Sequence, residues 1–276
     1  MLLNLYTDVH CSTLENKLLK YMDNYNVYNL EDPLLISKFK NIGLAREDVK
    51  ELPDAVKNAL ATGSLSPLML LKLKDSDNNI YFFPAKIQIT LDENTHQPEL
   101  LVYGVKNKLV NTLNLDNENF EDFKKGGVLL LKEKNEMFLM QLDPETKCIL
   151  KLSCKDFDRK FEEKLPEVLK ILDLELGIEQ KNRIKEGKPV TLDVGGETVT
   201  IGVDLRSPNA FKTLNGDLRE WERQKAIDYD IAHPEYVGLV QTDQNRWERH
   251  LILTQGYNSP ELKKGPQQVK SSGMKL

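Results

Sequence analysis

Ile184-Lys185-Glu186-Gly187-Lys188-Pro189-Val190-Thr191-Leu192 passes from a charged, helix-compatible stretch to a strand-compatible one at a single glycine. Glycine accepts the left-handed backbone that ends a helix, and a proline just beyond stops the helix from resuming. The same change of character occurs twice earlier. Phe123-Lys124-Lys125-Gly126-Gly127 leads into Val128-Leu129-Leu130-Leu131, and Ala59-Leu60-Ala61-Thr62-Gly63 leads to Leu68-Met69-Leu70-Leu71-Lys72-Leu73. Gly63, Gly126 and Gly187 are spaced 63 and 61 residues apart. A short helix and a small sheet are each marginal alone, but packed together they cover each other's apolar surface. The sequence therefore predicts an α+β fold of repeated units, each a short helix followed by a small antiparallel sheet. The three glycines serve as structural junctions.

Working outward, Val49, Leu52, Val56 and Leu60 have helical spacing over 45–61, with Pro53 dividing that stretch into two turns. Residues 68–74 and 80–91 are expected strands around the polar turn Asp75-Ser76-Asp77-Asn78-Asn79, and 100–105 a third. Ile87, Ile89 and Leu91 alternate with Gln88 and Thr90, which gives a buried and a wetter sheet face. In the second unit, strands at 128–132, 137–142 and 148–152 surround Asp143-Pro144-Glu145-Thr146, where Asp143 can satisfy nearby backbone donors. Phe157, Phe161, Leu165 and Leu169 then mark one long helix or two broken near Pro166. Gly195-Gly196 between 189–193 and 197–204 predicts a hairpin.

The ends differ from the middle. Leu14, Leu18, Leu19 and Met22 suggest an N-terminal helix capped at Ser12 or Thr13. From residue 214 an additional helical C-terminal segment is expected, with a helix over 217–232. Residues 257–276 read as a flexible basic tail. The resulting division is 1–40 helical or irregular, 41–110, 111–160 and 161–213 as three units, 214–256 for packing or interaction, and 257–276 as tail.

The 276 residues, 29% of them charged, carry a formal net charge of -5, which disfavours a protein dominated by nonspecific phosphate binding. No apolar run is long enough to span a bilayer, and the N-terminal run Met1–Leu5 is too short for a signal peptide. Cys11, Cys148 and Cys154 form no disulfide framework and read as free thiols in a reducing cytoplasm. Cys148 and Cys154 would share a face only if one strand ran unbroken between them.

Ile42-Gly43-Leu44, Leu52-Pro53 and the Ala59–Gly63 run, followed by paired strands, resemble uncharacterised repeat-like domains of Bacteroidetes proteins associated with mobile genetic elements. Met140–Thr146, Leu176–Gln180 and Ile184–Val190 are a closer match to the same domains. The resemblance covers roughly residues 40–205. It implies an accessory or interaction role and brings no catalytic set.

Local motifs name no chemistry either. His10, His96, His233 and His250 stand outside any metal-ligand spacing, and no nucleotide-binding loop or nucleophile elbow is present. No cofactor or metal is expected. The first expectation is a non-enzymatic module that binds an unidentified protein. The alternative is binding of DNA or RNA through Arg219, Trp221, Arg223, Arg246, Trp247 and Arg249, with Lys225, although eight acidic residues in 215–250 outnumber the five basic ones. A further alternative is a hydrolase whose Asp204, Arg206, Glu222 or His233 converge in space.

Overall fold

The computed structural model describes residues 28–74, 79–92, 95, 97–106, 108–229, 235–242, 244 and 246–253. The expected N-terminal helix, the tail, His10, Cys11, His96 and His233 lie outside the described residues. The fold mixes helices with antiparallel and mixed sheets. Helices α1 (Pro33–Asn41), α2 (Arg46–Lys50) and α3 (Asp54–Thr62) precede strands β1 (Met69–Lys74), β2 (Ile80–Leu91) and β3 (Pro98–Gly104). Helix α4 (Asn117–Lys124) precedes β4 (Leu129–Glu133), β5 (Glu136–Leu142) and β6 (Ile149–Ser153). Helices α5 (Cys154–Leu172) and α6 (Ile178–Lys185) precede β7 (Val190–Val194), β8 (Glu197–Val203) and β9 (Phe211–Asn215). The described chain closes with α7 (Leu218–Asp228), β10 (Glu235–Gln241) and β11 (Trp247–Leu253).

Gly63, Gly126 and Gly187 all lie in the left-handed region, with φ of 75°, 87° and 83°. After each, the next N–H reaches back five residues: Ser64 to Ala59 O at 2.8 Å, Gly127 to Asp122 O at 2.9 Å, and Lys188 to Arg183 O at 2.9 Å. This bond satisfies a carbonyl that the helix end would leave unpaired and turns the chain toward its sheet. Leu44 closes α1 in the same way on Phe39 O at 3.0 Å.

The two internal prolines behave differently. Pro53 stands at the start of α3 and separates it from α2. Pro166 lies inside a continuous α5, where Phe157, Phe161, Leu165, Val168, Leu169 and Leu172 bury one face. That buried stripe outweighs one lost backbone bond. Cys154 begins α5, capped by Ser153, so Cys148 and Cys154 do not share a strand.

β4-β5-β6 and β7-β8-β9 are three-stranded antiparallel meanders. The two-residue turn at Gly195-Gly196, with both φ values positive, joins β7 to β8 as the sequence predicts. The C-terminal segment is only partly helical: α7 is followed by the β10–β11 hairpin. That hairpin joins the first meander in the order β11-β10-β1-β2-β3, with β10 parallel to β1.

Four apolar clusters hold these layers among the described residues, the smallest being Leu68 and Leu70 with Phe82, Val105 and Val240 on the other face of the first sheet. Helices α1–α3 cover the Met69, Leu71, Ala85, Ile87 and Ile89 face of the first sheet. Helix α5 lies in a core shared by the second and third sheets, against Leu139 and Leu150 on one and Val199, Ile201 and Phe211 on the other. Phe123 of α4 packs with Phe138, Met140, Leu142 and Tyr229 on the far side of the second sheet. The opposite face of β2 also carries a buried ion pair. There Lys86 donates to the fully buried Asp143 at 2.7 Å and contacts Glu145. Asp143 in turn accepts from Thr146 N at 2.9 Å and Thr146 Oγ1 at 2.7 Å, so the Asp143–Thr146 turn is locked onto the first sheet.

Gly43 makes the sharpest steric demand. A Cβ there would lie 1.9 Å from Lys72 O, at a φ of +82°. Gly43→Ala should cost about 3 kcal/mol or more, combining left-handed strain with a backbone displacement. Gly195→Ala, whose Cβ would meet nothing within 4 Å, should cost only about 1–2 kcal/mol. Urea unfolding of the two variants tests this ordering.

Candidate functional site

The polar centre of the molecule forms where β8 leaves its sheet. Ala210 O accepts from Asp204 N, and Asp204 O accepts from both Ser207 N and Ser207 Oγ, which closes 204–210 into a tight corner. Arg206 folds back over Asp204, donating through Nε to Oδ1 and through Nη2 to Oδ2, both at 2.9 Å. Such a paired contact is among the strongest side-chain hydrogen-bond geometries. Gln141 of β5 accepts Leu205 N at 2.8 Å, and Arg206 O accepts Leu65 N at 3.2 Å. One corner of the third sheet is thereby bonded to the second sheet and to the segment entering the first.

Helix α7 closes over this corner through two aromatic contacts. Gly202 on β8 lets the Trp221 indole lie against the strand; a Cβ there would come within 2.6 Å of the ring. Tyr229 packs against Gly126, where a Cβ would lie 2.5 Å from its ring. Asp228 reaches inward to accept from Arg206 Nη2 at 3.1 Å and from Gln224 Nε2 at 2.9 Å. Lys212 of β9 stands 3.5 Å from both Asp204 and Asp228, with its ammonium 5.3 Å from the Trp221 ring centre. Between the corner, α7 and the junctions at Gly126 and Gly187 lies a cavity of about 300 Å³.

The electrostatics follow from this packing. Burial alone would raise the Asp204 carboxyl, but Arg206 and Lys212 hold it below its ordinary 3.8. Asp228 is likewise lowered, with Gln224, Lys212 and Arg206 overcoming the opposing effect of burial. Burial pushes the Tyr229 phenol well above its ordinary value, and its hydroxyl has no hydrogen-bond partner among the described residues. Burial also raises the Cys148 and Cys154 thiols, which keeps them protonated and unreactive at neutral pH.

No family model matches the sequence, and neither curated proteins nor solved structures give a match. Among the described residues no three His, Cys, Asp or Glu side chains gather as metal ligands. No described helix is long and apolar enough to cross a membrane.

Of the residues singled out for a hydrolytic site, Asp204 and Arg206 meet directly. Glu222 lines the same cavity and pairs with Lys225 at 2.8 Å. The interaction candidates divide between two elements. On α7, Arg219 and Arg223 are exposed, with Arg223 held by Glu220 at 2.8 Å, while Trp221 is buried. At the final hairpin Arg246 and Arg249 are exposed, whereas Trp247 packs into the core beneath the first sheet. Trp221-Glu222-Arg223 and Trp247-Glu248-Arg249, alike in sequence, thus fall on a helix and a strand. The sequence singles out none of Lys212, Gln141 and Tyr229 for the site, and Asp228 is one carboxylate among many there. Lys212 sits in the short β9, and the other three join the corner only through tertiary packing.

Asp204 gives the site a defined acid response. A carboxylate with a lowered folded-state pKa contributes stability that is present above its unfolded value and lost as pH falls through the folded one. Wild-type stability should therefore decline as pH drops below 3.8. Asp204→Asn should lose about 3–5 kcal/mol at neutral pH, because Arg206 is left partly uncompensated. The variant should also show a shallower acid loss, which chemical denaturation at several pH values will reveal.

Proposed function

We propose that this chain is a non-enzymatic protein-interaction module of the cytoplasm, built from three internal repeats of helix, left-handed glycine stop and three-stranded meander. The observation that carries the proposal is the way the central charges are used. Arg206 and Lys212 engage Asp204 and Asp228, and Gln224 closes the remaining side of Asp228. A general base needs a carboxylate whose lone pairs are open to a substrate proton. Here the carboxylates brace a junction between sheets and are held ionised by their neighbours.

The outer surface supplies what a partner can read. Among the described residues β11 is the last strand of the five-stranded sheet, with Arg246 and Arg249 exposed at and beside it. An outer strand offers backbone donors and acceptors to an extended segment of another protein. An accessory role in a mobile element, implied by the resemblance over residues 40–205, is compatible with such a scaffold.

Affinity capture from the native host, with and without nuclease, followed by reconstitution from purified components, tests the proposal. The expected result is a specific protein that stays bound after nuclease treatment, binds again when purified, and is released by Arg246→Glu with Arg249→Glu. Salt-sensitive binding of the purified chain to DNA or RNA, with no protein partner recovered, would establish the nucleic-acid alternative instead.

A further inference from the structure

The cavity beside the Asp204–Arg206 corner has features that bracing alone leaves unused. Its volume of about 300 Å³ suits a small molecule. Arg206 donates through Nε and Nη2, leaving Nη1 without a hydrogen bond among the described residues. Lys212 Nζ makes only long contacts with its carboxylates, 3.5 Å to each, the one to Asp228 Oδ2 a weak hydrogen bond. One guanidinium nitrogen on this cavity wall is therefore open, beside a loosely held ammonium.

The same cavity carries the complementary charge. Asp122 lines it, and its carboxylate has no ion-pair partner among the described residues. Gly127 makes room for that carboxylate, since a Cβ there would lie 2.1 Å from Asp122 Oδ2. The apolar part of the wall comes from Trp221, Val128 and Val203. Taken together the lining holds four carboxylates and four cations, a balance that gives a doubly charged phosphate no net attraction. A ligand bearing one charge of each sign would meet both.

We propose that this cavity binds a small zwitterion of the α-amino-acid class. Its carboxylate accepts from Arg206 Nη1 and Lys212 Nζ, its ammonium donates to Asp122, and an apolar side chain rests on Trp221 and the two valines. This assignment stands apart from the protein-interaction proposal: a partner protein could bind the outer surface whether or not the cavity is filled.

Titration calorimetry of the full chain against L-alanine, L-valine, L-leucine, L-methionine and L-phenylalanine tests it. At least one should bind at millimolar concentration or below. The matching carboxylic acid without its amino group, and the matching amine without its carboxylate, should each bind at least about tenfold more weakly, the scale of one lost charge-assisted bond. Asp122→Asn, an exposed change that leaves the corner intact, should weaken binding by a similar factor, as should Lys212→Gln where its thermal melt shows a folded protein. The proposal is overturned if none of the amino acids binds, if the truncated analogues bind equally well, if inorganic phosphate binds more tightly, or if Asp122→Asn leaves the affinity unchanged.

Discussion

The corner at Asp204-Leu205-Arg206 is the constraint on which the arrangement of the sheets rests. Its side chains and backbone face different structures. The guanidinium holds Asp204 and Asp228, Leu205 N–H goes to Gln141 on the second sheet, and Arg206 O takes Leu65 N–H from the approach to the first. Each bond is ordinary in length, but together they fix the third sheet against both others and hold the end of α7. Burying such a charged group is costly unless every partner is in place, so a loosely docked arrangement is penalised and one relative placement is favoured. Lys86 and Asp143 play the same part between the first and second sheets, with Thr146 completing the carboxylate's bonding.

Local features of this design are legible in the sequence because they depend on local chemistry. A left-handed stop needs glycine whatever lies around it, so Gly63, Gly126 and Gly187 mark the helix ends directly. The paired glycines of the β7–β8 turn, and Asp143 as the organiser of its own turn, are readable for the same reason. Pro53 and Pro166 show the boundary of that approach: one separates two helices while the other sits within one, and the difference is the apolar stripe of α5 held between two sheets.

The remainder depends on neighbours distant in sequence. Phe211–Asn215 is too short and mixed to announce a strand, and becomes β9 only by pairing along β8. The final hairpin reads as an unlike C-terminal segment because nothing near it reveals that β1 is its partner. The site divides in the same way. Asp204, Arg206, Glu222 and His233 are the sequence's candidates for convergence, and the first three do meet at one cavity, whereas Lys212, Gln141, Asp228 and Tyr229 acquire meaning only when β5, β9 and α7 converge.

The parallel pairing of Met69 with Leu239 has a consequence for how the molecule is made. During synthesis β1, β2 and β3 leave the ribosome long before β10, so the nascent first sheet ends at β1, with open backbone groups beside an apolar strand. The second and third meanders must be translated while that edge waits for its partner. Closure by β10 and β11 is a late, long-range event of the kind that slows folding and exposes strands to wrong partners. The C-terminal hairpin is thus the latch of the N-terminal sheet.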